Sequence, residues 1–289
     1  MLKDFQELQT IKIPKDNIWP SGWGQRTCVM GVINITPDSF SDGGIYFDPS
    51  KALDRAIQFV NEGVDIIDIG AQSTKPGAIE VGYEEEIKRL KPVLLLIRKR
   101  FPGIIISVDT FNSKVADFSM KHGANWINDV SGGRHDSSIF NIASKYQCPY
   151  ILTHSRGNSK TMDKLTKYNN IVDDVIEEML INTKKALSKG IKKENILWDI
   201  GLGFAKTTEQ NLSLLRNLNR FLSYNYSVMV GPSKKRFIGD ITLEKNTNER
   251  IWGTAAVTCM CVQSKVNLIR VHDIYAMKKT ILMAEALWN

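Results

Sequence analysis

The sequence predicts a single (β/α)8 barrel, an α/β fold in which strands and helices alternate. Two patterns support this prediction. The first is a series of short apolar segments rich in Val and Ile, the composition of strands that are buried on both faces. The second is the amphipathic spacing of the longer stretches between these segments, which is typical of helices. The alternation occurs eight times, which favours a barrel over an open six-stranded sheet.

In chain order, the predicted strands cover residues 28–33, 64–69, 104–108, 125–127, 149–152, 195–198, 227–230 and 266–269. The clearest helical segments cover residues 50–61, 83–100, 169–189 and 248–264. A doubly wound open sheet is the structural alternative, and it would divide the polar groups at the strand ends between two edges. In a barrel these groups share one face, where (β/α)8 enzymes bind their ligands and perform catalysis.

The length of 289 residues suits one such domain, because these barrels run to about 250 residues. We assign residues 26–289 to the barrel and residues 1–25 to an N-terminal extension that lacks the strand and helix pattern. The extension is expected either to cap the bottom of the barrel or to form a flexible arm.

The composition limits the partners of the protein. The net charge of +7 favours an acidic ligand, but the basic residues are dispersed among Glu-bearing helices, which argues against nucleic acid. The four cysteines have neither CxxC spacing nor a disulfide framework, so we expect buried thiols in a reducing compartment. The polar N-terminus and the lack of an apolar run of roughly 18 residues argue against a signal peptide and a membrane span. We therefore expect a cytoplasmic protein.

Polar side chains stand at the ends of the predicted strands. The full set is Asn34, Asp68, Gly70, Asp109, Asn128, Asp129, His154, Asp199, Ser233, Lys235, Arg270 and His272. Carboxylate and amide groups such as Asp109, Asn128 and Asp199 can pair with the amidine-like edge of a flat heterocycle, since they accept from its N–H groups and donate to its carbonyl. Each could instead cap the following helix, as Asp109 could before a helix at residues 111–120. Three such groups at strand ends favour a binding role.

Basic side chains near the last two strands predict an anion site. Arg270 and His272 follow the last strand two residues apart, so strand alternation points both the same way. Ser233 and Lys235 open a short helix, and the seventh and eighth loops of a barrel are a recurrent phosphate site. The alternative is that the basic residues Lys234, Lys235 and Arg236 are solvated surface.

Two glycine-bearing loops, residues 39–44 and 70–78, are long enough to close over a ligand, although ordinary turns use the same residue types. Asn34, Asp38 and Asp42 offer oxygen ligands suited to Mg²⁺, which usually takes one or two protein ligands plus substrate phosphates. No Cys and His cluster suggests zinc. Gly201 and Gly203 lack the third glycine of a dinucleotide fingerprint, which argues against NAD.

Taken together, these motifs resemble those of the dihydropteroate synthase family over nearly the whole chain from about residue 28. The matching motifs lie at residues 34–44, 73–78, 107–110, 127–133, 199–207, 233–239 and 270–273. The resemblance implies a (β/α)8 transferase of folate biosynthesis that is the target of sulfonamides. Such an enzyme joins p-aminobenzoate to 6-hydroxymethyl-7,8-dihydropterin diphosphate and releases pyrophosphate.

The resemblance also implies roles for individual residues, a Mg²⁺ cofactor and a homodimer. The pterin would be held by Asp109, Asn128, Asp199 and Lys235. The diphosphate would be held by Asn34, Thr74, Arg270 and His272, with Asn34 also a Mg²⁺ ligand. The p-aminobenzoate would be framed by Phe40, Thr74, Pro76, Phe204, Ser233 and Lys235. The residues implied in catalysis are Asp109, Lys235, Arg270 and His272.

This chain departs from the family pattern at several positions. Gln72 stands where the family commonly has Glu, and Lys75 stands where it has Arg, so bidentate anion contact by an arginine is lost there. Residues 233–236 read Ser-Lys-Lys-Arg where the family usually has Ser-Arg-Lys-Ser, so Lys235 keeps its position. Ile200 and Thr153 replace the usual Pro and Met and change packing more than charge.

Two other functions compete with the synthase. A related pterin-binding barrel transfers a methyl group from methyltetrahydrofolate to a cobalamin protein; it would share the pterin-facing residues but would not need the anion site. A pterin-binding paralogue without turnover is the second alternative, and it is motivated by Gln72 and Lys75. The motif at residues 34–44, the cluster around Lys235 and the anion site at Arg270 and His272 favour the synthase.

Overall fold

The computed structural model describes residues 18–35, 48–73, 75 and 77–288. The strands are β1 (Cys28–Asn34), β2 (Ile66–Gly70), β3 (Ile105–Asp109), β4 (Trp126–Asp129), β5 (Tyr150–Thr153), β6 (Ile196–Asp199), β7 (Ser227–Val230) and β8 (Leu268–Val271). They pair in parallel and in chain order, and β8 pairs with β1 to close the barrel. The predicted (β/α)8 barrel is confirmed, and the open sheet is excluded.

The helices around the barrel are α1 (Pro49–Asn61), α2 (Tyr83–Arg100), α3 (Ser113–Lys121), α4 (Ile139–Tyr146), α5 (Ile171–Ser188), α6 (Thr208–Arg216), α7 (Leu218–Leu222), α8 (Arg236–Thr242), α9 (Ile251–Gln263) and α10 (Ile274–Trp288). Short 3-10 turns occur at Met162–Lys164 and Lys193–Asn195. None of the helices in the described ranges combines the length and the apolar composition needed to cross a membrane.

Every strand except β7 ends one or two residues later than the sequence predicts. The ladder continues through the polar residues, since Asp109 pairs with Asn128 in register. Arg270 pairs with Met30 and therefore lies inside β8, so the prediction that it follows the last strand is wrong. Asp109, Asn128, Asp199 and Arg270 are consequently held by strand backbone, whereas His154, Ser233, Lys235 and His272 lie in the segments after the strands.

Apolar side chains fill the lower half of the barrel interior. They are Cys28, Met30, Ile66, Ile105, Trp126, Ile151, Leu197, Met229 and Leu268. Trp19 and Trp23 close this end, with ring centroids 5.1 and 5.5 Å from that of Trp126. The Trp126 indole N–H also donates to the carbonyl of Ile18 at 2.6 Å. The described part of the N-terminal extension thus caps the barrel bottom, and residues 1–17 lie outside the described residues.

Above this apolar floor the interior becomes polar. Alternate residues of a strand face the same side, so the residues two positions further along the strands also point inward. They are Asp68, Ser107, Asn128, Thr153, Asp199 and Arg270, which we call the polar layer. The period of two therefore places a set of charged and hydrogen-bonding groups near the carboxyl ends of the strands.

The main apolar core lies between the barrel and its helices. The helix α1 turns Ala52, Ala56 and Phe59 toward it, at the spacing of one helical face. Phe59 packs against Gly31 of β1, where a Cβ would come within 2.6 Å of the phenyl ring. Glycine is therefore required at position 31 for this close approach. Truncation of a buried phenyl ring such as that of Phe59 typically lowers the free energy of unfolding by about 3–5 kcal/mol.

Candidate active site

The carboxyl ends of the strands surround a cavity of about 600 Å³. Its lining includes nine residues that the sequence predicts for the site, namely Asn34, Asp109, Asn128, Asp199, Phe204, Ser233, Lys235, Arg270 and His272. A smaller cavity of about 270 Å³ shares Gln72, Ser73, Val130 and Phe204 with it but is lined by no member of the polar layer. The predicted site residues Phe40, Thr74 and Pro76 lie outside the described residues.

Arg270 lies between two carboxylates at the base of this cavity. Its Nε donates to Asp68 Oδ2 at 2.7 Å, and its Nη2 donates to Asp109 Oδ2 at 2.6 Å. Hydrogen bonds between ionised groups are the strong ones, and a planar guanidinium holds both partners in a fixed direction. One cation therefore orients two acids from separate strands.

Asp68 is a site residue to which the sequence prediction assigned no role. It is completely buried, and its Oδ2 also accepts from Asn128 Nδ2 at 3.0 Å. The second oxygen of Asp68 and the side-chain oxygen of Asn128 are buried without a hydrogen bond to a described residue. Buried acceptors normally have partners, so these two favour a ligand that carries N–H donors. The period of two from the apolar Ile66 was the sequence signal for this side chain.

The acids of the site are perturbed by their surroundings. Burial raises the pKa of Asp109, Arg270 opposes this shift, and the nearby charge of Asp68 adds to it. Burial likewise raises the pKa of Asp199, whose Oδ1 accepts from the backbone N–H of Gly201 at 2.9 Å. Perturbed acids in a cleft are typical of functional sites.

The alternative in which these acids cap helices is wrong for Asp109 and Asp199. The helix after β3 is capped by Asn112, whose side chain accepts from the backbone N–H of Lys114 at 2.9 Å. The helix α6 after β6 is capped by Thr207 in a capping box. Both acids are consequently available to the cavity.

Lys235 and Phe204 form the side of the cavity next to Asp199. The Lys235 ammonium lies 4.5 Å from the centroid of the Phe204 ring, within the range of a cation–π contact. Burial lowers the pKa of Lys235 to about 8, and the negative charge of Asp199 opposes this shift. The preceding Lys234 has a left-handed φ of 58° and pairs with Asp273 at 3.2 Å. Because of this backbone turn, Lys234 faces Asp273 whereas Lys235 faces Phe204.

His272 and Ser233 lie together at the rim. The Ser233 hydroxyl accepts from the backbone N–H of His272 at 3.2 Å and lies 2.9 Å from its Nδ1. We assign the hydroxyl hydrogen to Nδ1, which leaves the ring proton on Nε2. Burial, together with the charge of Arg270 and of neighbouring lysines, lowers the pKa of His272 to about 3. His272 therefore offers an anion a neutral N–H donor, whereas Arg270 offers a positive charge.

Comparison with known proteins assigns this arrangement to a family. Residues 30–272 match the family described as pterin binding enzyme. The dihydropteroate synthase of Synechocystis sp. is 41% identical over 267 residues, with 92% of each chain covered. The chain belongs to the dihydropteroate synthase family of pterin-binding enzymes. The folic acid synthesis protein fol1 of Pneumocystis carinii is 43% identical over 271 residues, and the chain spans 36% of the length of that protein.

Solved structures of the family have the same fold. A dihydropteroate synthase from Clostridium difficile, determined in the presence of pteroic acid, matches with a TM-score of 0.86 and 35% identity over 92% of this chain and 98% of that one. The Xanthomonas albilineans enzyme with 4-aminobenzoic acid matches with a TM-score of 0.86 and 33% identity over 91% of this chain and 94% of that one. The likeness therefore extends over the barrel and its helices.

In this pterin-binding enzyme, Gln72 anchors the base of the second loop. Its Nε2 donates to the carbonyls of Ser73 and Ile79 at 2.8 and 3.3 Å, and its Oε1 accepts from the backbone N–H of Val81 at 2.7 Å. A carboxylate could accept the last bond but could not donate the first two. The amide is thus suited to its surroundings, and Lys75 lies exposed at the cavity edge.

Proposed function

We propose that this chain is a dihydropteroate synthase of folate biosynthesis, which condenses 6-hydroxymethyl-7,8-dihydropterin diphosphate with p-aminobenzoate. The observation that carries the proposal is the convergence of Asp109, Asn128, Asp199, Lys235 and Arg270 on one cavity. The related enzyme from Xanthomonas albilineans has been solved with 4-aminobenzoic acid, which supports the second substrate.

The pterin would lie at the polar layer. Its edge carries N–H donors beside a ring carbonyl, and it therefore needs acceptors with a donor next to them. Asp199 and the unpaired oxygen of Asn128 supply acceptors, while the Lys235 ammonium supplies the donor. Asp109, held by Arg270, is the further acid that we assign to the pterin.

The diphosphate would lie toward Arg270 and His272, with Asn34 at the end of β1 as a further contact; we also assign Thr74 to it. In the reaction the bond between the pterin CH₂ and the diphosphate oxygen breaks, and its electron pair leaves with pyrophosphate. The carbon becomes cation-like because the pterin ring is electron-rich. Arg270 and the N–H of His272 would stabilise the departing charge, and Asp109 would stabilise the cation-like pterin.

The p-aminobenzoate would lie between Phe204, Lys235 and Ser233, and we assign Phe40, Thr74 and Pro76 to the loops that close over it. Its amino nitrogen forms the new bond to the CH₂ carbon and then loses a proton to solvent. An aniline nitrogen is already a usable nucleophile once it is oriented, so the protein needs to position it rather than to deprotonate it.

Mg²⁺ fits this site as an ion held mainly by substrate. Asn34 is partly buried at the cavity, and its side-chain oxygen is a suitable ligand. The described residues contain no group of three or more His, Cys, Asp or Glu side chains placed to hold a metal. We assign the other ligands of the ion to phosphate oxygens of the substrate. When bound, Mg²⁺ would neutralise charge on the leaving diphosphate.

We also propose that the protein is a homodimer. Large apolar side chains are exposed on α9 and α10, namely Trp252, Tyr275, Leu282, Met283 and Leu287. The most exposed of them is Trp252, at 78%. Exposed apolar side chains on two helices that pack together are typical of a protein interface, and a second copy is the partner that we assign to them.

A cytoplasmic location is the third part of the proposal. The four cysteines are free, and Cys28, Cys148 and Cys261 are buried. Burial raises the pKa of Cys28 and Cys148 to about 12, so both thiols are protonated and unreactive at neutral pH. Free thiols of this kind are typical of a reducing compartment.

The test is to incubate the purified protein with pterin diphosphate, p-aminobenzoate and Mg²⁺ and to measure dihydropteroate and pyrophosphate. We expect both products in equal amounts and no pyrophosphate without p-aminobenzoate. Pterin binding without product would support the paralogue that lacks turnover. Methyl transfer from methyltetrahydrofolate to a cobalamin protein would support the other barrel, which has no need of Arg270 and His272.

A further inference from the structure

Lys206 is a buried lysine in the loop that follows β6. It is 3% exposed, and its Nζ lies 2.9 Å from His154 Nδ1, 2.9 Å from the carbonyl of Gly201 and 3.0 Å from the carbonyl of Phe204. An ammonium has three N–H donors, so each can be matched to one acceptor. A buried charge is costly unless it is fully hydrogen-bonded, so the loop is stabilised in the conformation that brings all three acceptors to Lys206.

His154 connects Lys206 to a helix. Burial lowers the pKa of Lys206 to about 7. In its protonated form the ammonium can only donate, so Nδ1 of His154 accepts and we assign the ring proton to Nε2. This Nε2 donates to Glu178 of α5 at 3.0 Å, and Glu178 also accepts from Arg156 Nε at 2.9 Å. The loop is thereby tied through one side chain to α5 and to the segment after β5.

The backbone that Lys206 holds turns through three left-handed residues, of which only Ala205 is not a glycine. Gly201, Gly203 and Ala205 have left-handed φ values of 67°, 79° and 52°. A Cβ on Gly201 would come within 1.8 Å of the His154 carbonyl, so a side chain cannot be accommodated there. For Ala205 the left-handed conformation costs roughly 1–2 kcal/mol. The ammonium donates to the carbonyls of both Gly201 and Phe204 and so stabilises the left-handed conformation of this turn.

The turn places the Phe204 ring beside the Lys235 side chain. The ammonium of Lys235 lies 4.5 Å from the Phe204 ring centroid, and a Cβ on Gly203 would come within 3.2 Å of Lys235 Cδ. Lys206 itself does not line the cavity. It lies behind the wall that Phe204 and Lys235 form, and a shift of the turn would change the width of the slot beside them.

We propose that Lys206 is a positioning residue for the arylamine substrate, because its ammonium holds residues 201–206 so that Phe204 stays against Lys235. The inference rests on the proposed function, in which these two side chains frame p-aminobenzoate. It assigns a role to a side chain that does not touch the substrate. It also explains why a charged group is buried there with His154 and backbone carbonyls as its hydrogen-bond partners.

The test compares Lys206→Met with Lys184→Met, an exposed position on α5. Methionine keeps most of the length and removes all three donors. We expect the KM for p-aminobenzoate to rise about tenfold in Lys206→Met, while the Kd for pterin diphosphate changes by less than about threefold. The Lys184→Met control should match the wild type. A loss of active protein with an unchanged KM for p-aminobenzoate would mean a merely structural role and would overturn the proposal.

A double-mutant cycle tests whether Lys206 acts through Phe204. In a Phe204→Ala background, Lys206→Met should add little to the KM, since the ring that it positions is gone. The full tenfold effect in that background would contradict the proposal. If Lys206→Met does not fold, Lys206→Gln retains two N–H donors, and we expect a rise of about threefold; an unchanged KM there overturns the inference. A wild type that makes no dihydropteroate would refute the proposed function instead, which is a distinct outcome.

Discussion

Arg270 and Asp109 are joined across the interior of the barrel, where Nη2 of the arginine donates to Oδ2 of the acid at 2.6 Å. They belong to β8 and β3, which are not neighbours in the sheet. The same guanidinium also donates to Asp68 on β2 at 2.7 Å. The position of Asp109 in the cavity is therefore set by a charge from the opposite wall and not only by its own strand.

Replacement of Asp109 by asparagine should lower kcat strongly with little effect on the fold. The amide keeps the shape of the acid and its oxygen can still accept from Arg270, but it lacks the negative charge that would stabilise a cation-like pterin. Loss of one such preorganised group typically costs about 10²–10³ in kcat. Burial raises the pKa of Asp109, so a neutral side chain should be tolerated in the folded protein. Steady-state kinetics and thermal unfolding measure the two effects.

The matched control for this variant is Asp54→Asn, an exposed acid on α1. We expect its kcat and its melting temperature to equal those of the wild type. An Asp109→Asn enzyme with wild-type kcat would show that the charge has no part in turnover. A large drop in melting temperature would instead show that the ion pair with Arg270 is needed for folding.

Replacement of Lys235 by alanine should abolish turnover and leave the fold intact. The ammonium is the donor that we assign to the pterin carbonyl, and it lies 4.5 Å from the Phe204 ring that would face p-aminobenzoate. Its loss removes a contact to each substrate. Lys91→Ala, at an exposed position on α2, is the control and should be fully active. Circular dichroism checks the fold, and wild-type activity in Lys235→Ala would refute the assigned role.

The barrel and much of the site were predictable from local pattern. Eight Val- and Ile-rich segments with helices between them specify strand number and order, because parallel neighbours joined by helices follow the chain. Asp109, Asn128 and Asp199 were found because each ends an apolar segment. The period of two then determines that these side chains point inward.

Contacts across the barrel were not predictable in this way. Arg270 and Asp109 are 161 residues apart, and nothing in either local sequence indicates that their side chains meet. Asp68 had the right position but no assigned role, since its importance comes from Arg270 and Asn128 together. Lys206 belongs to a recognised motif, yet its burial follows from the left-handed turn around it. Such features depend on tertiary structure rather than on spacing.

A stability prediction concerns Gly31 of β1. A Cβ at this position would come within 2.6 Å of the Phe59 ring, and backbone and ring are both held in a packed core. Gly31→Ala should therefore lower the free energy of unfolding by about 1–3 kcal/mol, as overpacking typically does. Gly103→Ala is the control, because a Cβ there meets nothing within 4 Å. Urea unfolding compares the two, and equal stability would contradict the packing argument.

The last prediction concerns stability in acid. His154 is 4% exposed, and burial beside the Lys206 ammonium lowers its pKa to about 3, while Glu178 opposes the shift. In the unfolded chain the imidazole titrates near its ordinary pKa of 6.5. Between pH 6.5 and 3 the unfolded state therefore binds more protons than the folded state, and the free energy of unfolding falls as the pH falls.

His154→Asn isolates this effect, because the asparagine oxygen can accept from Lys206 but cannot take up a proton. The variant should be less stable than the wild type at pH 7.5, since it loses the bond to Glu178. Acidification then removes the contribution of His154 from the wild type only, so the difference between the two should shrink by about 2 kcal/mol at pH 5.0. Urea unfolding at both pH values measures it. A difference that stays constant would mean that His154 titrates in the folded protein as it does in the unfolded chain, and a difference that grows would mean that it is charged in the folded protein; either result would contradict the assigned neutral tautomer.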